Sequence, residues 1–389
     1  MERISQRRAR NSSIEVLKIF SILLIVINHV VQTLGTEGNQ YISFSDYFIN
    51  LSKVTDNYQY LLISMLRYSG NLGNTVFFVC SAWFLLNVTN ANKKKVFIML
   101  ADIWVISVIC LVVVSICQGT FRGSLILQSL FPTTFSNNWY LTCYVLFFII
   151  HPFLNMVIEK MSQRQLFRTA FWGVLLYIII PFSTRITNHL FKASASFFSS
   201  QLVFWIVLYF VIAYIKKYAP NFTGNRLYNL LLIVFGFIGN YGIIILTNII
   251  GLKYYALLNT ALQIWNQYYN PFLIMMVIGA FNVANNFHFE SKIINYISSL
   301  SLYIYIIHEN IMLRWFYRPA MWQYIYTNYG YAHILRWVFI LVVIIFAFGL
   351  ISSILYKQSV HKAVVRCCER LYPKISNIWM RFENKATAR

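Results

Sequence analysis

The chain has 389 residues, of which 59% are hydrophobic and 11% are charged, and it carries a formal net charge of +21. Soluble domains contain about 25% charged residues, so this composition excludes a soluble enzyme and predicts an all-α, polytopic membrane protein. The basic residues cluster in short loops at alternate ends of the apolar segments, which indicates membrane topology rather than a nucleic-acid partner.

Ten apolar stretches are long enough to cross a bilayer. They occupy residues 14–34, 61–88, 96–118, 139–158, 169–187, 200–215, 228–249, 269–285, 293–313 and 334–356. Lys and Arg are concentrated before the first stretch, after the last and in every second connection, so both termini are predicted to be cytoplasmic. The prediction is therefore a bundle of about ten transmembrane helices over residues 1–356, followed by a basic cytoplasmic tail over residues 357–389.

The first apolar stretch contains three ionisable residues, Glu15, Lys18 and His29. Each such group costs about 2.5–3.5 kcal/mol in the bilayer centre, which indicates a use. On a helix the three share one stripe, with Lys18 and His29 about 16 Å apart along the axis. Lys18 is then near the cytoplasmic surface, and His29 lies beyond the midpoint of the span. Glu15 either pairs with Lys18 or is a first-turn acid stabilised by the helix dipole.

Polar residues in the second and fourth stretches allow structural and functional interpretations. Arg67 is placed near an outer helix end, where it either snorkels to the interface or binds an anionic lipid carrier or acceptor. Trp139 and Tyr140 open the fourth span at the outer interface, where such residues are ordinarily anchors. His151 precedes Pro152, which frees a backbone carbonyl, so a structural role is favoured for this histidine.

The ninth stretch contains a second intramembrane histidine, His308, followed by Glu309 and Asn310. Because this span and the first run in the same direction, His308 is expected at the same depth as His29. Two histidines at one depth either face a shared water-filled cavity or each bond a neighbouring helix, and the adjoining polar residues favour the shared site. The six cysteines have no metal-ligand spacing, so no metal site is predicted.

Five motifs occur in the order found in an integral-membrane acyltransferase family, acyltransferase 3, which the chain resembles from about Asn11 to Ile351. They are Lys18 with His29 eleven residues later, the segment 74–84, the segment 138–141 with Pro152, the segment 267–271, and the segment 303–310. The family usually has Arg where this chain has Lys18, and Gly where it has Ala82. Lys keeps the charge but lacks the bidentate geometry of a guanidinium.

The resemblance implies transfer of an acetyl or other acyl group from cytoplasmic acyl-CoA to a hydroxyl of a cell-surface polysaccharide or its lipid-linked precursor. His29 would act as general base or as transient acyl acceptor. His308 would orient His29 or stabilise the oxyanion, Glu15 would assist Lys18, and Lys18 would hold the CoA.

Five further residues are assigned to substrate binding; they are Arg67, Trp139, Tyr140, Glu309 and Asn310. No bound cofactor is expected, because acetyl-CoA is a donor substrate. The expected partners are acyl-CoA, the glycan acceptor, membrane lipids and polysaccharide-assembly proteins, in a bacterial plasma membrane. Two alternatives without acyl transfer stay open: a flippase or transporter for lipid-linked oligosaccharide, and a polysaccharide polymerase.

Overall fold

A computed structural model describes residues 10–32, 57–86, 88, 92–119, 123–133, 139–191, 200–249, 264–330 and 332–387. These residues form helices and no strand. In chain order the helices are α1 (Ser12–Gln32), α2 (Asn57–Leu66), α3 (Ser69–Leu85), α4 (Lys93–Gln118), α5 (Gly123–Leu130), α6 (Trp139–Lys160), α7 (Gln163–Val174), α8 (Ile180–Phe191), α9 (Gln201–Tyr218), α10 (Pro220–Gly224), α11 (Arg226–Ile249), α12 (Pro271–Asn286), α13 (Lys292–Ser298), α14 (Ser301–His308), α15 (Ile311–Tyr329), α16 (Ile334–Gln358) and α17 (Val360–Thr387), with a π-helical turn (Leu175–Ile179) between α7 and α8.

The predicted all-α membrane fold is confirmed. Among the described residues, seven helical segments are long and apolar enough to span a bilayer. They correspond to the first, the third to seventh and the tenth predicted stretches. The eighth is the shorter apolar helix α12, and the second and ninth are each divided into shorter helices.

The second predicted span is broken at Arg67 and Tyr68, between α2 and α3. The break is stabilised by α1, because the Asn28 side-chain amide donates to the Arg67 carbonyl at 2.6 Å. The Arg67 side chain is only 3% exposed. It therefore does not snorkel to a membrane surface, which corrects one of the two interpretations made from the sequence.

The ninth predicted span consists of three helices, α13, α14 and α15. Its first break is at Ser299 and Leu300, and its second is at Glu309 and Asn310. The Asn310 side chain caps α15 by accepting a hydrogen bond from the Met312 amide at 3.0 Å. Broken helices are tolerated at membrane depth where the protein satisfies the freed backbone groups. This second break gives Glu309 its position.

Helix α1 occupies the centre of the bundle and packs against α2, α3, α12, α13, α14 and α16. Its closest partner is α3, where the Ser21 hydroxyl donates to the Gly73 carbonyl at 2.9 Å. A Cβ atom on Gly73 would lie 2.5 Å from the Ser21 carbonyl oxygen, so a larger residue would separate the two helices. Small residues of this kind allow close packing of membrane helices.

Helix α6 places its first turn inside the bundle. Tyr140 is buried, and its ring contacts Trp205 and Tyr305 at centroid distances of 5.9 and 6.0 Å. The interpretation of Tyr140 as an interfacial anchor is therefore wrong. Further along α6, His151 Nδ1 donates to the Phe148 carbonyl at 2.6 Å. This is the carbonyl that Pro152 leaves without a helical donor, so the predicted structural role of His151 is confirmed.

The C-terminal helix α17 is joined to the bundle through Asp102, a buried carboxylate of α4 that the sequence analysis missed. Asp102 accepts hydrogen bonds from the hydroxyls of Tyr356 at 2.6 Å and Tyr303 at 3.2 Å. It also contacts His361 Nδ1 of α17 at 3.0 Å. One carboxylate thereby links α4, α14, α16 and α17.

Candidate active site

The structure brings His29 of α1 and His308 of α14 into contact. His29 Nδ1 lies 3.1 Å from His308 Nε2, and the ring centroids are 5.3 Å apart. His308 is fully buried, at the C-terminal end of the short helix α14. The two histidines expected at one depth therefore form a single site.

Glu309 is the third member of this site. Its Oε2 lies 2.9 Å from His29 Nδ1 and 2.8 Å from Arg318 Nη2, and its Oε1 lies 2.8 Å from Arg314 Nη1. Glu309 was assigned to substrate binding from the sequence, but here both carboxylate oxygens contact protein cations and one faces the histidine. The carboxylate therefore orients His29.

The hydrogen bonds determine the positions of the protons on the two neutral rings. His308 Nδ1 lies 2.7 Å from the Ile304 carbonyl, which can only accept, so Nδ1 carries the proton and Nε2 is an acceptor. His29 Nδ1 then faces two acceptors, His308 Nε2 and Glu309 Oε2. Its own Nδ1 must carry a proton, so the lone pair of the neutral His29 ring is on Nε2. The arrangement therefore makes Nε2 the basic atom, as in other histidines that a carboxylate orients.

Arg314 and Arg318 of α15 provide the positive charges of the site. Four residues apart, they lie on the same face of the helix, and helical side chains point back toward the N-terminus, where Glu309 lies. Arg318 is 2% exposed and also donates to the His308 carbonyl. The spacing of Glu309, Arg314 and Arg318 was the signal that could have identified them.

Ligand-type atoms of His29, His308 and Glu309 lie within 4.8 Å of one another, a spacing that could hold a metal ion. However, both oxygens of Glu309 contact guanidinium groups. A divalent cation would have to displace or approach these two positive charges, which raises the free energy of binding. The charge distribution therefore favours an acid–base network over a metal site.

Glu15 and Lys18 form a separate cluster near the start of α1. Lys18 Nζ lies 3.3 Å from Glu15 Oε1, and the Ser298 hydroxyl donates to Glu15 Oε2 at 2.5 Å. Lys18 also lies 5.7 Å from the centre of the Phe84 ring. The predicted Glu15–Lys18 pair is confirmed, but the helix places it about 16 Å before His29, so the structure does not bring Glu15 to the histidines.

The other residues assigned to substrate binding have different surroundings. Tyr140 approaches the site through Tyr305, whose ring centroid is 5.8 Å from that of His308. Within the described part of the chain, the buried Tyr140 hydroxyl has no hydrogen-bond partner. Trp139 stacks edge-on against Tyr140 at 5.8 Å. Asn310 caps α15, as described above.

Two adjoining cavities lie between the start of α4 and the histidines. One of about 170 Å³ is bordered by Lys95 and Val96, in the first turn of α4. The second, of about 10 Å³, is bordered by Tyr140, Tyr305 and residues of α1. The two cavities share the side chains of Phe77, Tyr144 and Leu302. They mark a line of weak packing from a cationic end of the bundle to Tyr305, beside His308.

Comparison with known families agrees with this geometry. The model of the acyltransferase domain family, Acyl_transf_3, matches residues 11–356, which covers the bundle from α1 to α16. No curated protein and no solved structure matches the chain. The chain therefore belongs to acyltransferase family 3 and is a multi-pass membrane acyltransferase.

Proposed function

We propose that this acyltransferase moves an acetyl group from cytoplasmic acetyl-CoA to a hydroxyl of a cell-surface polysaccharide or its lipid-linked precursor, in a bacterial plasma membrane. The proposal rests on the position of His29 Nδ1, which lies 2.9 Å from Glu309 Oε2 and 3.1 Å from His308 Nε2. This arrangement leaves Nε2 as a base inside a membrane protein. The acceptor class rests on the resemblance of the sequence motifs.

The chemical step follows from the position of the lone pair on His29. Nε2 takes the proton of the acceptor hydroxyl as its oxygen attacks the thioester carbonyl carbon. The carbon–sulfur bond then breaks, and the CoA thiolate receives the proton from His29, which restores the neutral ring. In a two-step variant, Nε2 attacks the thioester, the carbon–sulfur bond breaks and CoA leaves as the thiolate. The acceptor oxygen then attacks the acyl carbon, the bond from that carbon to Nε2 breaks, and Nε2 takes the hydroxyl proton and passes it to the thiolate.

The charges around the histidines support this chemistry. Proton transfer gives His29 a positive charge, and the Glu309 carboxylate at 2.9 Å stabilises it. Arg314 and Arg318 hold Glu309 in place and leave the cluster with more cations than anions. This excess favours the negative oxygen that forms during acyl transfer.

The donor is proposed to approach from the end of the bundle that carries Lys18 and Lys95. Both ammonium groups suit the phosphates of CoA, and Glu15 lowers the cost of keeping Lys18 partly buried. The two adjoining cavities run from Lys95 toward Tyr305, so the acyl end of the donor would follow them to His308 and His29.

The family match favours acyl transfer over the flippase, transporter and polymerase alternatives, none of which needs an acyl donor. The decisive experiment compares His29→Ala with His333→Ala, an exposed histidine outside the site. Both variants are reconstituted in vesicles with labelled acetyl-CoA and the glycan acceptor. His29→Ala should lose O-acetyl transfer at normal protein level, while His333→Ala should retain it. Transfer by His29→Ala at the wild-type rate would refute the assignment.

A further inference from the structure

The last helix, α17, has a continuous apolar stripe. Spacings of three and four residues place its members on one face of the helix, within an arc of about 80°. They are Val364, Cys368, Leu371, Ile375, Ile378 and Phe382. A stripe of this kind requires an apolar partner along its whole length.

The first half of the stripe is covered by the protein. Val364 and Cys368 are buried, and α17 packs there against α4 and α16. Tyr372 contacts Phe97 of α4 at a centroid distance of 6.1 Å, and Glu369 pairs with Lys94 at 2.9 Å. The first half is therefore attached to the first turn of a membrane-spanning helix.

The second half of the same stripe is open. Leu371, Ile375, Ile378 and Phe382 are 49%, 46%, 68% and 63% exposed, respectively. The partner of the stripe therefore changes from protein to another apolar medium after Cys368.

The charges beside the open half identify that medium. Four cations lie along one edge of the stripe, namely Arg370, Lys374, Arg381 and Lys385. Apolar side chains bordered by Lys and Arg are typical of helices that lie in the interface of an anionic membrane. Antiparallel pairing of two copies through this stripe would bring the two cationic edges together and cost free energy.

We propose that the second half of α17 is a binding surface for anionic lipid headgroups and lies in the membrane interface. Its apolar side chains enter the boundary between headgroups and acyl chains, and its cations contact lipid phosphates. The position follows from the chain itself, because α17 starts two residues after the membrane-spanning helix α16 ends. The inference is independent of the proposed reaction.

The test uses the full-length protein in lipid nanodiscs, with the exposed Cys117 and Cys367 and the partly exposed Cys143 replaced by Ser, so that the remaining native cysteines are buried. Single cysteines are introduced by Ile378→Cys, on the stripe, and Asn377→Cys, the neighbouring exposed polar position. The measured quantity is the rate of reaction with a membrane-impermeant maleimide. In discs containing phosphatidylglycerol, the cysteine at 378 should react about tenfold more slowly than the one at 377. In discs of phosphatidylcholine alone, the difference should shrink.

Two outcomes would overturn the proposal. Equal rates at the two positions in anionic discs would show that the stripe stays in water. Protection at position 378 that is the same in anionic discs, neutral discs and detergent would show that protein covers the stripe, either from the same chain or from a second copy.

Discussion

Replacement of Glu309 by Gln tests whether the carboxylate orients His29. The substitution keeps the size of the side chain but removes the charge that faces His29 Nδ1 at 2.9 Å. It also removes the carboxylate charge that Arg314 and Arg318 both contact. If the Gln amide nitrogen turns toward His29, the ring reverses its tautomer and Nε2 is no longer the basic atom.

The magnitude follows from the distance. At 2.9 Å and an effective dielectric constant of about 20, an imidazolium and a carboxylate attract each other by about 6 kcal/mol. A general base contributes a factor of about 100 to 10,000, or about 3–5 kcal/mol, to an enzymatic rate. The loss of rate cannot exceed the contribution of the general base, which is smaller than the attraction of about 6 kcal/mol. Glu309→Gln should therefore lower kcat about 100- to 10,000-fold. The KM for acetyl-CoA should stay close to that of the wild type, because the donor phosphates are proposed to bind at the distant end of α1.

The assay measures acetyl transfer in reconstituted vesicles together with the Tm of the purified protein. Removing one partner of a buried ion pair costs about 3–5 kcal/mol, so the single variant is expected to lose stability as well. A double variant, Glu309→Gln with Arg314→Gln, removes one of the two excess cations and should recover Tm without recovering kcat. Glu309→Asp should recover part of kcat. A double variant that folds and keeps kcat within about threefold of the wild type would refute the orienting role.

Two further predictions concern Tyr140 and Asp102. Tyr140→Ala should enlarge the small cavity beside Tyr305, so the rate of transfer from propionyl-CoA should rise relative to the rate from acetyl-CoA. The control variant Tyr140→Phe should keep the preference for acetyl-CoA. An unchanged ratio of the two rates in the Ala variant would contradict the proposed donor path. Asp102→Asn should lower Tm, since each buried group left without its hydrogen-bond partner costs about 1–3 kcal/mol. Tyr356→Phe should lower Tm by a smaller amount, and its effect should vanish in an Asp102→Ala background, which has no side-chain oxygen to accept from Tyr356. Independent effects of the two substitutions would show that the two groups do not interact.

The membrane class and most of the spans could be predicted because they depend on local composition. A long apolar helix is required wherever the chain crosses hydrocarbon, and seven of the ten predicted stretches have that form. Of the other three, the eighth is a shorter apolar helix, and the second and ninth contain polar breaks that a hydropathy pattern does not reveal. At the first break, the Asn28 side chain donates a hydrogen bond to the Arg67 backbone carbonyl. At the second, Arg318 pairs with the Glu309 carboxylate, so both broken helices are stable.

Part of the candidate site could also be predicted from local composition. His29 and His308 stood out because an ionisable group in an apolar stretch is costly, whatever surrounds it. Arg318 and Asp102 were missed because the free-energy cost of burying their charges is offset by partners that the local sequence does not reveal. Arg318 pairs with Glu309 across a helix break, and Asp102 bonds Tyr356, which is distant in sequence. Tyr140 was misinterpreted since an aromatic residue at the start of a span has the same local pattern at an interface and inside a bundle.

The sequence by itself determined that the chain is a helical membrane protein, that α1 carries Glu15 and Lys18 at one end and His29 near the other, and that a second histidine lies at matching depth. These properties follow from the cost of polar groups in hydrocarbon and from the regular rise of a helix. Only the tertiary structure decided which nitrogen of His29 is basic and that Glu309 faces it. The direction of a hydrogen bond depends on the positions of atoms from α1, α14 and α15 at once, and no single segment contains that information.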